Sequence, residues 1–305
     1  EQGQTHLDES FGLRGRHRHL ETAGDPSTLT HFKFNFRTYS FDRVKFDDSV
    51  SEAIAAGGWV GAKTPFFLDR FSFGVTGYTS QKIQGDPDED GTLLLEPVQA
   101  GYSVLGEAFL DARLVDGVHL YAGRKEFDTP FINTHDNRLT PNTFEAVVIQ
   151  GRSRLGPDGA TLKYGAGYFD RIKNRNEDHF ISMAVDAGAA VERGVVTAGA
   201  LYQKDQFSIG AIDYHSPDIL NIFYAETKWT LPVTLPIADN AEPSLAFQFV
   251  DQRSAGDELL TGGAFATQQI GVKGELPVGD VLLSSAYTLV SGGADIRSPW
   301  SGSPS

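Results

Sequence analysis

"HFKFNFRTYSFDR", residues 31–43, sets Phe32, Phe34 and Phe36 against Lys33, Asn35 and Arg37. Alternation with a period of two gives a β-strand one apolar and one charged face. A helix would scatter the three phenylalanines around its circumference.

The same alternation returns along the chain. In "LKYGAGYFDR", Leu162, Tyr164, Ala166 and Tyr168 oppose Lys163, Gly165, Gly167 and Phe169; in "SLAFQFVDQ", Leu245, Phe247 and Phe249 oppose Gln248. In "YSVLGEAFLDARL", Val104, Ala108, Leu110, Ala112 and Leu114 oppose Ser103, Glu107, Asp111 and Arg113. About thirteen such segments begin near residues 31, 57, 71, 101, 117, 143, 161, 194, 206, 218, 243, 263 and 279. No long segment carries a helical period.

Their connections tend to alternate in length. Residues 44–56, 81–100, 128–142 and 172–193 are long, whereas "VDG" (115–117), "KD" (204–205) and "PV" (277–278) are short. The alternation weakens at "SP" (216–217), where a long loop is due. Long loops at one end and short turns at the other predict an all-β, up-and-down antiparallel transmembrane β-barrel, because in lipid every backbone polar group must be paired and the sheet must close. Tyr39, Phe41, Tyr78, Tyr168, Phe169 and Tyr214, at strand ends, are expected to form its interfacial aromatic girdles.

Composition narrows the alternatives. The 305 residues include no Cys, which excludes a disulfide framework and thiolate chemistry, and a net charge of -14 argues against nucleic acid. No apolar run reaches the 18 or so residues that a spanning helix needs. The N-terminus "EQGQTHLDES" lacks a signal-peptide pattern, so an exported protein is expected here as its mature form or a fragment.

"FRTYSFDR" (36–43), "GGWVGAKT" (57–64), "FSFGVTGYTSQ" (71–81), "TPFINTHDNRLTPNTFEA" (129–146) and "ERGVVTAGALYQKDQFSIGAIDYHSPDILNIFYAE" (192–226) resemble the OprD family of substrate-specific outer-membrane porins. The likeness runs in order from about residue 31 to the end, and Thr-Pro-Asn-Thr-Phe-Glu-Ala is its most specific element. It implies a monomeric barrel of about eighteen strands in the bacterial outer membrane. Such a barrel is narrowed by inward-folded loops and passes small anionic or zwitterionic solutes along a ladder of basic side chains. The partners implied are those solutes, outer-membrane lipid and the barrel-assembly machinery during insertion, with no enzyme activity and no cofactor. The chain ends on the polar "IRSPWSGSPS", where family members end on a strand with an aromatic last residue. About thirteen strands is also an odd count, so residues 31–305 are expected to be a barrel lacking C-terminal strands, preceded by a segment, 1–30, with little regular structure.

Strand parity and loop position select the candidate solute pathway. With the phenylalanines toward lipid, Lys33, Arg37 and Arg43 face the lumen, as do Lys163 and Arg171, of which Arg43 and Arg171 are expected at the rim. A Lys or Arg on the lipid face near mid-bilayer costs about 2–4 kcal/mol. In the 128–142 connection, Asp128, Asn133, His135, Asp136, Asn137 and Arg138 are too polar for a core; they are expected to fold inward as a constriction, contacting solute or holding the loop to the wall. The acid is concentrated in loops such as "DPDEDG" (86–91), so the lumen can differ in potential from the whole. That motif resembles half a calcium loop, but position twelve is Pro97, and His17 with His19 lack a third ligand. The rival is a soluble or surface β-protein that binds or hydrolyses carbohydrate with Glu107 and Asp111 as its carboxylates.

Overall fold

The computed structural model describes residues 29–231, 242–260, 262–279 and 281–302. One antiparallel sheet runs through them in chain order: β1 (His31–Val44), β2 (Val50–Lys63), β3 (Phe71–Gln84), β4 (Tyr102–Val115), β5 (Val118–Lys125), β6 (Thr143–Leu155), β7 (Ala160–Lys173), β9 (Val195–Lys204), β10 (Phe207–Ser216), β11 (Leu220–Thr230), β12 (Ser244–Ser254), β13 (Ala266–Val278) and β14 (Val281–Val290). A two-residue strand, β8 (Ile181–Ser182), pairs with β7 off this path. This is the up-and-down β-barrel wall that the alternation predicts, and no helix among the described residues is long and apolar enough to cross a membrane.

The second strand starts at Val50, earlier than the expected 57, because Val44 pairs directly with Val50 across a five-residue loop. Its first half, Ser-Glu-Ala-Ile-Ala-Ala, carries low β-propensity and little apolar contrast. Phe32, Phe34 and Phe36 point out of the barrel at 82%, 72% and 74% exposure. Tyr78, Phe169 and Tyr214 do not form girdles: all three are buried inside, and Tyr39 and Phe41 pack inward on Leu94, Leu95 and Leu139. An aromatic ring at a strand end serves lumen packing as readily as a lipid interface.

The loop end of the barrel is filled. The 126–142 and 174–194 loops and the segment after β14 fold inward around Phe127, Phe131, Ile132, Phe144, Met183 and Trp300, and the 85–101 loop packs Leu94 and Leu95 into a second cluster with Ala53, Ala55 and Leu139. Trp300 donates from Nε1 to the Met183 carbonyl at 2.8 Å, and its residue bridges Ile132 in parallel. The "polar" connection at 128–142 therefore has an apolar underside, which is why it packs rather than trails. Residues 1–28, with His17 and His19, lie outside the described residues.

Candidate functional site

Cross-strand registry assembles the interior charges in rows. Lys33 pairs with Gly61, Gly61 with Thr76, and Thr76 with Glu107, so four strands contribute one inward row. Gly61 has no side chain to fill the row, and Lys33 Nζ spans it to reach Glu107 Oε2 at 2.5 Å. Thr76 Oγ1 donates to the same oxygen. Glu126 joins this level: its Oε1 accepts from Tyr78 OH at 2.5 Å and lies 3.8 Å from Lys33 Nζ. Lys125 is half-buried beside it, donating to the Glu126 carbonyl at 3.0 Å over the rings of Phe109, Tyr121 and Phe127.

A bulge makes that row possible. Thr76 faces Glu107 but Gly77 faces Leu105, leaving Gly106 unpaired, so Tyr102 before the bulge and Glu107 after it both point inward. Toward the turn end, Asp111 is held between Lys63 Nζ and His119 Nδ1, each at 2.6 Å. Glu107 and Asp111 thus each belong to their own cations and form no carboxylate pair across a cleft.

At the loop end, Arg37 meets the 126–142 loop. Its guanidinium grips Asp136 at 2.5 and 2.8 Å, donates to the Arg138 carbonyl at 2.7 Å and lies over the Trp59 ring. Arg138 turns away to donate to the Thr92 carbonyl at 2.9 Å, over Phe41, so it joins two loops. Asn137 accepts from Arg175, and Asn133 accepts from the His135 amide while donating to the Gly302 carbonyl at 3.1 Å. His135 takes the left-handed backbone region, and burial with Arg175 and Arg138 nearby lowers its pKa. Asp136 and Asn137 form the exposed tip, while Asp128 sits half-buried at the loop's start.

Lys163 lies elsewhere. It is buried at 3% exposure, lining a groove on the inner wall with Val148, Gly165, Phe169 and Thr197. Arg171 has left the inner face: Glu145 pairs with it while Ala146 pairs with Phe169, so Asp170 bulges and the parity flips. Arg171 instead shares the outer rim with Glu145, itself bound to Arg124 at 2.7 Å. Arg43 is exposed at the loop end of β1.

Sequence reasoning missed Lys63, Lys125, Lys173, Arg175 and Trp300. Inward parity on β2 and β5 would have found Lys63 and Lys125; nothing local announces the others. Lys173 is fully buried between the rings of Tyr78 and Tyr102. In "DPDEDG" the carboxylates serve the fold: Asp86 accepts from the Asp88 amide, and Asp90 accepts from the Thr92 amide and pairs with Lys45 at 3.4 Å. Glu96 ties this loop to the 174–194 loop by accepting from the Asp178 amide at 3.0 Å.

A family model described as outer membrane porin, OprD family, matches residues 30–303. No curated protein matches the sequence. Among solved structures, OccAB3 of Acinetobacter baumannii aligns at 17% identity and TM-score 0.72, over 87% of this chain and 67% of that one. OccD3 (OpdP) of Pseudomonas aeruginosa aligns at 18% and 0.64, over 87% and 57%. OpdK of the same species, solved with vanillate, aligns at 18% and 0.66, over 86% and 65%. The chain therefore spans about two-thirds or less of the length of these structures, and at such identity the likeness is one of fold.

Proposed function

The chain belongs to the OprD family of outer membrane porins, and from that premise we propose that it gives small carboxylate-bearing solutes, such as amino acids and aromatic or other organic acids, a passive selective route across the bacterial outer membrane. Porins of this family are channels and not enzymes. The observation that supports the carboxylate preference is the succession of inward basic side chains, from Lys63 through Lys33 and Lys125 to Arg37, Arg138 and Arg175.

Most of these cations already face a carboxylate, which keeps each site weak. That suits conduction, since a solute must enter each site favourably and still leave it. A solute carboxylate competes with Glu107 and Glu126 for Lys33, and the exposed tip at Asp136 and Asn137 sets the narrowest approach, flanked by His135, Asn133 and Arg138. Lys163, in its apolar groove, offers a cation against which a hydrophobic acid can rest. Asp128 steadies the loop from its base. In this proposal the protein acts as a monomer in outer-membrane lipid, inserted by the barrel-assembly machinery, without a cofactor.

The test is planar-bilayer conductance of the protein in potassium chloride, followed by addition of benzoate and glutamate. Channels partly blocked by both acids are expected, with block weakened about threefold or more in Lys33→Gln and Lys163→Gln. Block that is absent in the wild type, or unchanged from wild type in both variants, removes the carboxylate pathway.

A further inference from the structure

Two loops meet at Glu96, Asp178 and His179. Glu96, in the 85–101 loop, accepts from the Asp178 amide of the 174–194 loop at 3.0 Å, so its carboxylate is already held against the partner loop. One ligating atom from each of the three side chains lies within 4.8 Å of the other two. His179 Nδ1 stands 3.2 Å from Asp178 Oδ1. Two donors bound to one tetrahedral zinc ion are about 3.3–3.4 Å apart, so this pair already has close to the spacing that a shared ion imposes.

The charge at this junction is not balanced. Among the described residues no Lys or Arg lies in ion-pair range of Glu96, Glu177 or Asp178; His179 alone does, with Asp178 and with Glu177. The cations of the same stretch are turned elsewhere. Lys173 donates to the Asn174 carbonyl, and Arg175, which lines a cavity with His135, Glu177 and Asp186, donates to Asn137. In the same 85–101 loop Asp86 and Asp90, by contrast, are occupied by backbone amides and Lys45.

The second ring nitrogen of His179 supplies an independent observation. Nε2 lies 3.8 Å from Glu177 Oε2, an oxygen shielded from solvent and without a hydrogen bond. A histidine that ligates through one nitrogen gives its other N–H to a carboxylate or carbonyl, which fixes the tautomer. Metal on Nδ1 would leave the proton on Nε2, facing the acceptor that lacks a donor. Imidazole beside carboxylates suits zinc, nickel or copper, whereas magnesium and calcium favour oxygen ligands.

We propose that Glu96, Asp178 and His179 form a site for a divalent transition metal of the zinc class, with water completing its coordination, and that the bound ion fastens the 85–101 loop to the 174–194 loop. This goes beyond the carboxylate-channel reading and does not depend on it.

The experiment is isothermal titration calorimetry of the full chain in detergent with zinc chloride, and with calcium chloride in parallel. Saturable zinc binding with a Kd in the micromolar range is expected, with calcium about a hundredfold weaker. His179→Ala and Glu96→Gln, on different loops, should each weaken zinc about tenfold or more, whereas His17→Gln with His19→Gln should leave it within about twofold. Hydrogen exchange gives the second readout: at zinc about ten times Kd, amides within 95–100 and 176–180 should slow about tenfold. No zinc binding, calcium bound as tightly as zinc, or zinc affinity that follows His17 and His19 instead of His179 and Glu96 overturns the site. Zinc held by these residues with exchange unchanged in either loop overturns the fastening.

Discussion

Arg37 on β1 holds Asp136, 99 positions later in the 126–142 loop, through two guanidinium nitrogens at 2.5 and 2.8 Å. The side chain that strand parity turns inward is therefore also an anchor of the 126–142 loop. Both partners are partly exposed, at 22% and 34%, so solvent screening tempers the pair. A charge-assisted bond of about 1.5–3 kcal/mol falls here to about 1–2 kcal/mol. Asp136→Asn should raise the rate of proteolytic cleavage within 133–138 by about five- to thirtyfold. The double exchange Arg37→Asp with Asp136→Arg should restore much of the protection. A cleavage rate unchanged in Asp136→Asn would show that the loop is held by its apolar underside alone.

Gly61 carries the second prediction. A Cβ there would collide with Thr76 Oγ1, in the row through which Lys33 reaches Glu107. Gly61→Ala should destabilise the folded barrel by about 1–3 kcal/mol, the usual range for overpacking. The readout is the urea midpoint of the heat-modifiable band on gels. Gly77→Ala, on the neighbouring strand with open space around its Cβ, serves as the control and should lie close to wild type.

The strands were legible because alternation is local: Phe32, Phe34 and Phe36 need only their neighbours to announce a face. Two kinds of feature were not. Bulges at Gly106 and Asp170 each shift parity by one, which brings Glu107 and Tyr102 to the same face and turns Arg171 outward. No residue type marks such a skip in a single sequence. The inward folding of the loops was expected for 128–142, but its hold depends on partners far away in the chain. Trp300 sits in a stretch that reads as polar and loop-like, "IRSPWSGSPS", and is fully buried because Met183, Tyr214 and Ile132 await it. Of the candidate residues, Arg37, Asp136, Asn137 and Arg138 are brought together, while Lys163 stands apart in its groove.

Asp186 makes the docking of the 174–194 loop depend on pH. Burial raises its pKa to about 6 against the opposing effect of the Asn174 bond, and the Glu177 charge pushes the same way as burial; Arg175 and His135 line the same cavity. With a folded pKa above the unfolded value of 3.8, the group contributes stability that is full below 3.8 and is lost as pH rises through about 6. The loss is on the order of 2 kcal/mol after allowing for partial solvation. Hydrogen exchange of the loop amides should accelerate between pH 4 and 6, roughly, beyond the intrinsic base-catalysed trend, and level off above. Asp186→Asn should flatten the excess; the same pH profile in that variant would assign the effect to another group.

Trp300 is the keystone of the inward segment after β14. It is fully buried, its Nε1 is satisfied by the Met183 carbonyl, and its ring leans on Tyr214 with centroids 6.4 Å apart. Truncating a buried aromatic costs about 3–5 kcal/mol, more than the few polar ties of its neighbours can offset. Those ties include Gln252 donating to the Arg297 carbonyl at 2.7 Å and accepting from the Arg297 amide at 2.8 Å, and Asn133 donating to the Gly302 carbonyl at 3.1 Å. Trp300→Ala should therefore release residues 295–302 while leaving the strands in place. The expected result is a larger single-channel conductance with an unchanged β-sheet circular dichroism spectrum. Trp300→Phe keeps the packing, gives up the Nε1 bond worth about 1 kcal/mol, and should lie near wild type. Conductance that stays constant in Trp300→Ala while the segment becomes protease-sensitive would mean that the segment docks outside the conducting path.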